Sequence, residues 1–118
     1  MKTYFTDDEL KCPCCGKCDM DKEFMRRLNH AREMADFPFV ISSGYRCENH
    51  NLEVGSTSSN HTSGKAVDIA CSSSKRRYVM VRQLINAGMQ GIGIGPTFIH
   101  ADINRELLAM WLYETKKA

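Results

Sequence analysis

The sequence has no long hydrophobic run. No stretch approaches the roughly 20 apolar residues that span a bilayer, and Met1-Lys2-Thr3-Tyr4-Phe5 does not lead into the apolar core of an export signal. Neither a membrane span nor a signal peptide is therefore expected. Charge of one sign is not in excess either. A net charge of +2 is too small to mark a nucleic-acid binder, and Lys75-Arg76-Arg77 reads as the solvated start of a helix. No repeat or low-complexity segment is visible. At 118 residues the chain is long enough for one hydrophobic core and too short for two, so a single domain over 1–118 and a monomer are expected.

Cysteine, by contrast, is abundant. Four of the six fall in Cys12-Pro13-Cys14-Cys15-Gly16-Lys17-Cys18, within a Cys-rich N-terminal segment at about 10–19. Residues this close cannot all bridge one another. The cluster is left with three readings: reduced thiols, partners for Cys47 and Cys71, or a metal knuckle on Cys12, Cys15 and Cys18, whose CxxC spacing zinc favours. A second well-spaced pair of ligands is missing.

Periodicity supplies the elements. Met20, Phe24, Met25, Leu28, Ala31 and Met34 recur at three- and four-residue steps, which predicts an amphipathic helix capped by Asp19 or Asp21 and stopped by Pro38. Phe39 to Ser43 reads as a short buried strand. Residues 44–64 read as a long surface loop, and a loop of that length in a small domain is usually functional. Ala66-Val67-Asp68-Ile69-Ala70 alternates as a strand. Ser72-Ser73-Ser74 offers caps for a helix that Gly88 closes, and Gly91–Gly95 with Phe98–Ile103 form a hairpin around Pro96-Thr97. Leu107 to Tyr113 is open between helix and strand. The fold class that follows is α+β: an antiparallel sheet with helices packed on one face and its active groups on the other.

One polar residue interrupts each of two apolar strands: Asp68 in the first, His100 in the second, with Asp102 sharing the face of His100. His61 ends the loop that feeds the first strand, and Gly64 permits a sharp turn between them. Buried carboxylate and imidazole are costly unless paired or ligated. Two imidazoles and a carboxylate with an open fourth position are what a hydrolytic zinc site uses.

These residues carry a family resemblance. Ser59-Asn60-His61-Thr62-Ser63-Gly64-Lys65-Ala66-Val67-Asp68 fills an SxHxxGxAxD pattern that resembles the zinc D-alanyl-D-alanine carboxypeptidases. That group also includes phage endolysin peptidases, the vancomycin-resistance D,D-dipeptidase and the hedgehog signalling domain. Upstream, Ser43-Gly44-Tyr45-Arg46 followed by Asn51 is similar to the family's SGYRxxxxN segment. Downstream, Gly91-Ile92-Gly93 and His100-Ala101-Asp102 are similar to its closing GIG…HxD. The resemblance covers about residues 20 to 105. It implies one zinc ion on His61, Asp68 and His100, with Arg46 steadying the substrate carbonyl or oxyanion and Ser59 hydrogen-bonding the substrate.

The chain departs from the pattern at Thr97, where several members carry an acid three positions before the last histidine. Asp102 is then the first candidate for the general base, with orientation of a ligand or of Arg46 as its alternative role. For Arg46 the alternative is an ion pair with Glu48 or Asp102. The resemblance implies hydrolysis of a peptidoglycan stem peptide, by a carboxypeptidase or an endopeptidase, after delivery by a lysis system or a phage particle. The alternative is a non-catalytic zinc-bound or virion structural domain of the same fold.

Overall fold

A computed structural model describes residues 3–113; Met1, Lys2 and residues 114–118, which the single-domain reading included, lie outside the described residues. The chain forms α1 (Asp7–Leu10), α2 (Lys22–Ala35), β1 (Ile41–Ser43), α3 (Glu48–Glu53), β2 (Ala66–Ala70), α4 (Ser74–Asn86), β3 (Gly91–Ile94), β4 (Phe98–Asp102) and β5 (Ala109–Leu112). The strands make one sheet in the order β1-β2-β4-β3-β5. Every neighbouring pair is antiparallel except β3 and β5, which run parallel. The α+β class read from the sequence is the observed one. No helix among the described residues is long and apolar enough to cross a membrane.

The core lies between the sheet and the two long helices. Phe24, Leu28 and Ala31 of α2 and Met80 and Leu84 of α4 meet Val67, Ile69, Ile92, Ile99 and Ala101 of the strands. Each such large side chain contributes about 1.5–3 kcal/mol by leaving water. α2 starts at Asp21, whose carboxylate accepts from the Phe24 N–H. It stops before Pro38 is reached, because Asp36 turns left-handed at φ 61° and its N–H closes on the Arg32 carbonyl. A short polar side chain tolerates that conformation.

Three local differences from the sequence reading have physical causes. β1 is confined to Ile41–Ser43, although the Val40 carbonyl still accepts from the Ala70 N–H of β2; Phe39 is buried in the core, and the Val40 side chain is exposed. The loop at 44–64 contains α3, which lacks an apolar face: its inward residue is Asn51, whose amide donates to the Ser58 carbonyl and accepts from Arg46. Leu52, its one large apolar residue, faces solvent. α1 is a single turn held by a reciprocal Thr6–Glu9 capping box. Leu107–Tyr113 resolves as the edge strand β5, whose mostly exposed residues show no alternation.

Candidate metal centre and cleft

β2 and β4 pair with Asp68 opposite His100, so the alternation of both strands sends these side chains to the sheet face away from the helices. The loop before β2 brings His61 onto the same face. The His61 ring nitrogen, the Asp68 carboxylate oxygen and the His100 ring nitrogen lie within 4.8 Å of one another. His61 Nε2 is 3.6 Å and His100 Nδ1 3.0 Å from Asp68 Oδ1. A tetrahedral zinc ion with ligand bonds of about 2.0–2.1 Å separates its donors by roughly 3.3 Å, which these distances bracket.

The opposite nitrogen of each ring fixes which one faces inward. His61 Nδ1 is 2.8 Å from the Gly44 carbonyl, which can only accept, so the proton sits there and Nε2 carries its lone pair toward Asp68. His100 Nε2 is 2.7 Å from Asp102 Oδ2 and its Nδ1 3.0 Å from Asp68 Oδ1; a cation held at Asp68 would keep the ring proton on Nε2, against Asp102, and turn the lone pair of Nδ1 inward. Three electron-rich atoms therefore converge on one point. Burial alone would raise the Asp68 carboxyl, but hydrogen bonds and charge from His100 and His61 hold it well below 3.8. Burial would likewise lower His100, yet Asp102 and Asp68 push it above 6.5. Both directions express one arrangement, in which imidazole and carboxylate each favour the other's charged form.

Asp102 is wholly buried and held on several sides. Arg105 donates twice, through Nε at 2.9 Å and Nη2 at 2.7 Å, and Asn60 and the Asn104 N–H add longer contacts. Despite its burial, His100 and Arg105 hold its pKa far below the usual carboxylate range. Its carboxylate thus lies on the Nε2 side of His100, away from the lone pair facing Asp68. Arg105 also stacks on Trp111, 4.5 Å from the ring centroid, and Trp111 packs on His100 at 5.4 Å.

A cleft of about 260 Å³ opens over the centre, lined by Arg46, Asn60, Phe98 and Tyr113 as well as the three donors. Arg46 pairs with neither Glu48 nor Asp102. Its Nη2 lies 3.4 Å from Asp68 Oδ2, while Nε donates to Ser43 Oγ and Nη1 to Asn51 Oδ1. The structure brings Arg46 to the metal-binding donors but not Ser59: that hydroxyl is exposed, accepts from Asn104, and lines a neighbouring hollow, whereas Ser56 and Ser58 line the cleft. Sequence reasoning missed Tyr113, Trp111 and Arg105. Their signal is the glycine run of β3. Gly91 and Gly93 stand opposite Asp102 and His100. A Cβ at Gly91 would sit 2.5 Å from Arg105 Nε, and one at Gly93 2.5 Å from the Tyr113 ring. The alternating glycines leave space for these three side chains, while Ile92 faces the core.

Two imidazoles and a carboxylate, open on one side and flanked by a guanidinium, form the donor set of a mononuclear zinc hydrolase. Residues 3–102 match the family model described as Peptidase M15, and the chain belongs to that family of zinc peptidases. Among curated proteins no sequence matches it.

The cysteines divide differently from the sequence reading. Cys12 and Cys15 gather with Cys47, within 4.8 Å of one another, while Cys18 turns away to Asp7 at 4.0 Å.

Proposed function

We propose that the chain hydrolyses peptide bonds of bacterial peptidoglycan with one zinc ion on His61 Nε2, Asp68 and His100 Nδ1. The observation that carries this reading is the convergence of those three donors beneath a cleft walled by Arg46. Zinc in that position supplies a nucleophilic water at neutral pH and polarises the scissile carbonyl. The chain's own residues do the rest. Arg46 is held in place by Ser43 and Asn51 and directs its guanidinium into the cleft, where it stabilises negative charge developing on the carbonyl oxygen. Tyr113, whose phenol is pushed up by burial, stays protonated and can donate to the substrate or the leaving amine. Ser56 and Ser58 offer hydroxyls for the peptide, in the place first assigned to Ser59. Asp102 acts as a positioning residue: it keeps the proton of His100 on Nε2.

The stem peptide is the substrate favoured by the sequence resemblance, and a small open cleft suits a short peptide end. The test is mass spectrometry of muropeptides before and after incubation with the zinc-loaded chain. New fragments absent from the His61→Ala variant are expected, and their masses report which bond breaks. Wall fragments left intact by a zinc-loaded, folded chain would refute the reading. That outcome would instead support a second one, a zinc-bound binding domain without catalysis. One observation favours it: among the residues lining the cleft, Asp68 is the only carboxylate.

A further inference from the structure

We infer that the chain holds a second, structural zinc ion on the sulfurs of Cys12, Cys15 and Cys47, and that this clip fastens the N-terminal turn to the segment carrying Arg46. Cys12 and Cys47 stand 35 residues apart in sequence, yet their Sγ atoms are 3.6 Å apart. Zinc–sulfur bonds of about 2.3 Å in a tetrahedron separate neighbouring sulfurs by roughly 3.8 Å. Cys15 Sγ lies within 4.8 Å of both.

The backbone is shaped for thiolates. Residues 12–17 fold into a tight turn in which the Gly16 N–H donates to the Cys12 carbonyl at 2.8 Å and the Cys12 N–H to the Lys17 carbonyl at 2.7 Å. Gly16 sits at φ 76°, a conformation that favours glycine. The Cys47 N–H donates to Cys12 Sγ at 3.4 Å. Cys47 caps α3, its own sulfur accepting from the His50 N–H at 3.4 Å. N–H donors aimed at sulfur stabilise negative charge there, as a metal-bound thiolate requires. A Cys12–Cys47 disulfide would leave Cys15 facing the bridge without a role. Cys18, at Asp7, and Cys71, at the Ser73 carbonyl, are turned elsewhere.

The clip bears on the catalytic side. The Tyr45 N–H donates to the Leu10 carbonyl at 2.8 Å, and a Cβ on Gly44 would meet that same oxygen at 2.5 Å. The N-terminal segment thus presses on the strand end whose Gly44 carbonyl orients His61 and whose next residues are Arg46 and Cys47.

Cobalt substitution tests this. Bound to thiolates, cobalt gives a sulfur-to-metal charge-transfer absorption in the near ultraviolet, which a site of two histidines and an aspartate cannot give. The intact chain should show that absorption and about two zinc ions per chain; in His61→Ala the absorption should survive with the metal count lowered to about one. Cys47→Ser should lose the absorption and Cys18→Ser keep it. Should Cys47→Ser fail to fold, alkylation of the wild-type chain decides: zinc must shield Cys12, Cys15 and Cys47 while Cys18 reacts, and a chelator must expose them. No thiolate absorption in the cobalt-loaded wild-type chain, or a native mass short of one hydrogen pair that marks a disulfide, would overturn the inference. Survival of the thiolate absorption in His61→Ala separates this site from the peptidase centre, so either can fail alone.

Discussion

Replacing Asp102 with Asn keeps the shape and removes only charge and acceptor capacity. Oδ2 now faces three donors, His100 Nε2, Arg105 Nη2 and Asn60 Nδ2, and Oδ1 faces Arg105 Nε and the Asn104 N–H. An amide offers one oxygen, so whichever way it sits its NH2 group confronts donors on the other side. Removing one partner of a fully buried pair costs about 3–5 kcal/mol. Arg105 keeps some contact with water, at 26% side-chain exposure, so about 2–3 kcal/mol is the better figure here. For a chain of this size that lowers Tm by roughly 10 °C. The second effect is on the metal. The Asn NH2 favours a lone pair on His100 Nε2 and so sends the ring proton to Nδ1, the atom that faces Asp68, and weakens zinc affinity about 10- to 100-fold. Thermal unfolding of the chelator-treated chain measures the first effect, chelator competition the second, and nitrogen chemical shifts of the imidazole report the tautomer directly. An Asp102→Asn chain with unchanged Tm, affinity and tautomer would refute the assignment of Asp102 as the residue that orients His100.

Other outcomes follow from the same geometry. Arg46→Lys, which keeps the charge but loses the planar fork, should lower kcat by about 10- to 100-fold with zinc content unchanged, measured by peptide hydrolysis alongside metal analysis. Tyr113→Phe should depress kcat about 100-fold if the phenol donates to the leaving group, and an unchanged kcat would remove Tyr113 from the chemistry. Gly93→Ala puts a Cβ 2.5 Å from the Tyr113 ring and 2.8 Å from Trp111 Nε1. It should cost about 1–3 kcal/mol and shift the emission of Trp111, the single tryptophan, while the core stays packed. In the metal-free chain the charged form of His100 is favoured by folding, so its contribution to stability is present in full below pH 6.5 and lost as pH rises through its raised folded value. Zinc needs the neutral ring, so affinity should fall as pH drops through that same raised value; unfolding and zinc-binding titrations across pH check both signs.

Legibility of the sequence followed the range over which each feature is decided. β2, β3 and β4 were readable because alternation is local: Val67 and Ile69 inward with Asp68 outward is written in five consecutive residues. Asp68 and His100 stood out as polar residues interrupting apolar strands, and His61 as the end of the loop that feeds the first of them. Which nitrogen of His100 faces the metal was not readable, because it depends on Asp102 being drawn to Arg105 and so to the Nε2 side. α3 escaped because its buried residue is the polar Asn51, which is used to satisfy loop carbonyls. α1, in contrast, was available: Thr6-Asp7-Asp8-Glu9 spells a capping box. Nothing local joins Cys47 to Cys12, since that approach depends on the strand end at Gly44 lying against Leu10.

β5 enters the sheet after the last metal donor has already been placed, pairing with β3 alone, and it lies beyond the residues that match the family. Yet it delivers Trp111, which packs against His100, and leads directly into Tyr113 at the cleft. One part of the cleft wall, Tyr113, therefore follows the stretch of chain that supplies the three donors. Exchanging Tyr113 while Trp111 is kept against His100 offers a route to reshape the cleft without disturbing the histidines and aspartate beneath.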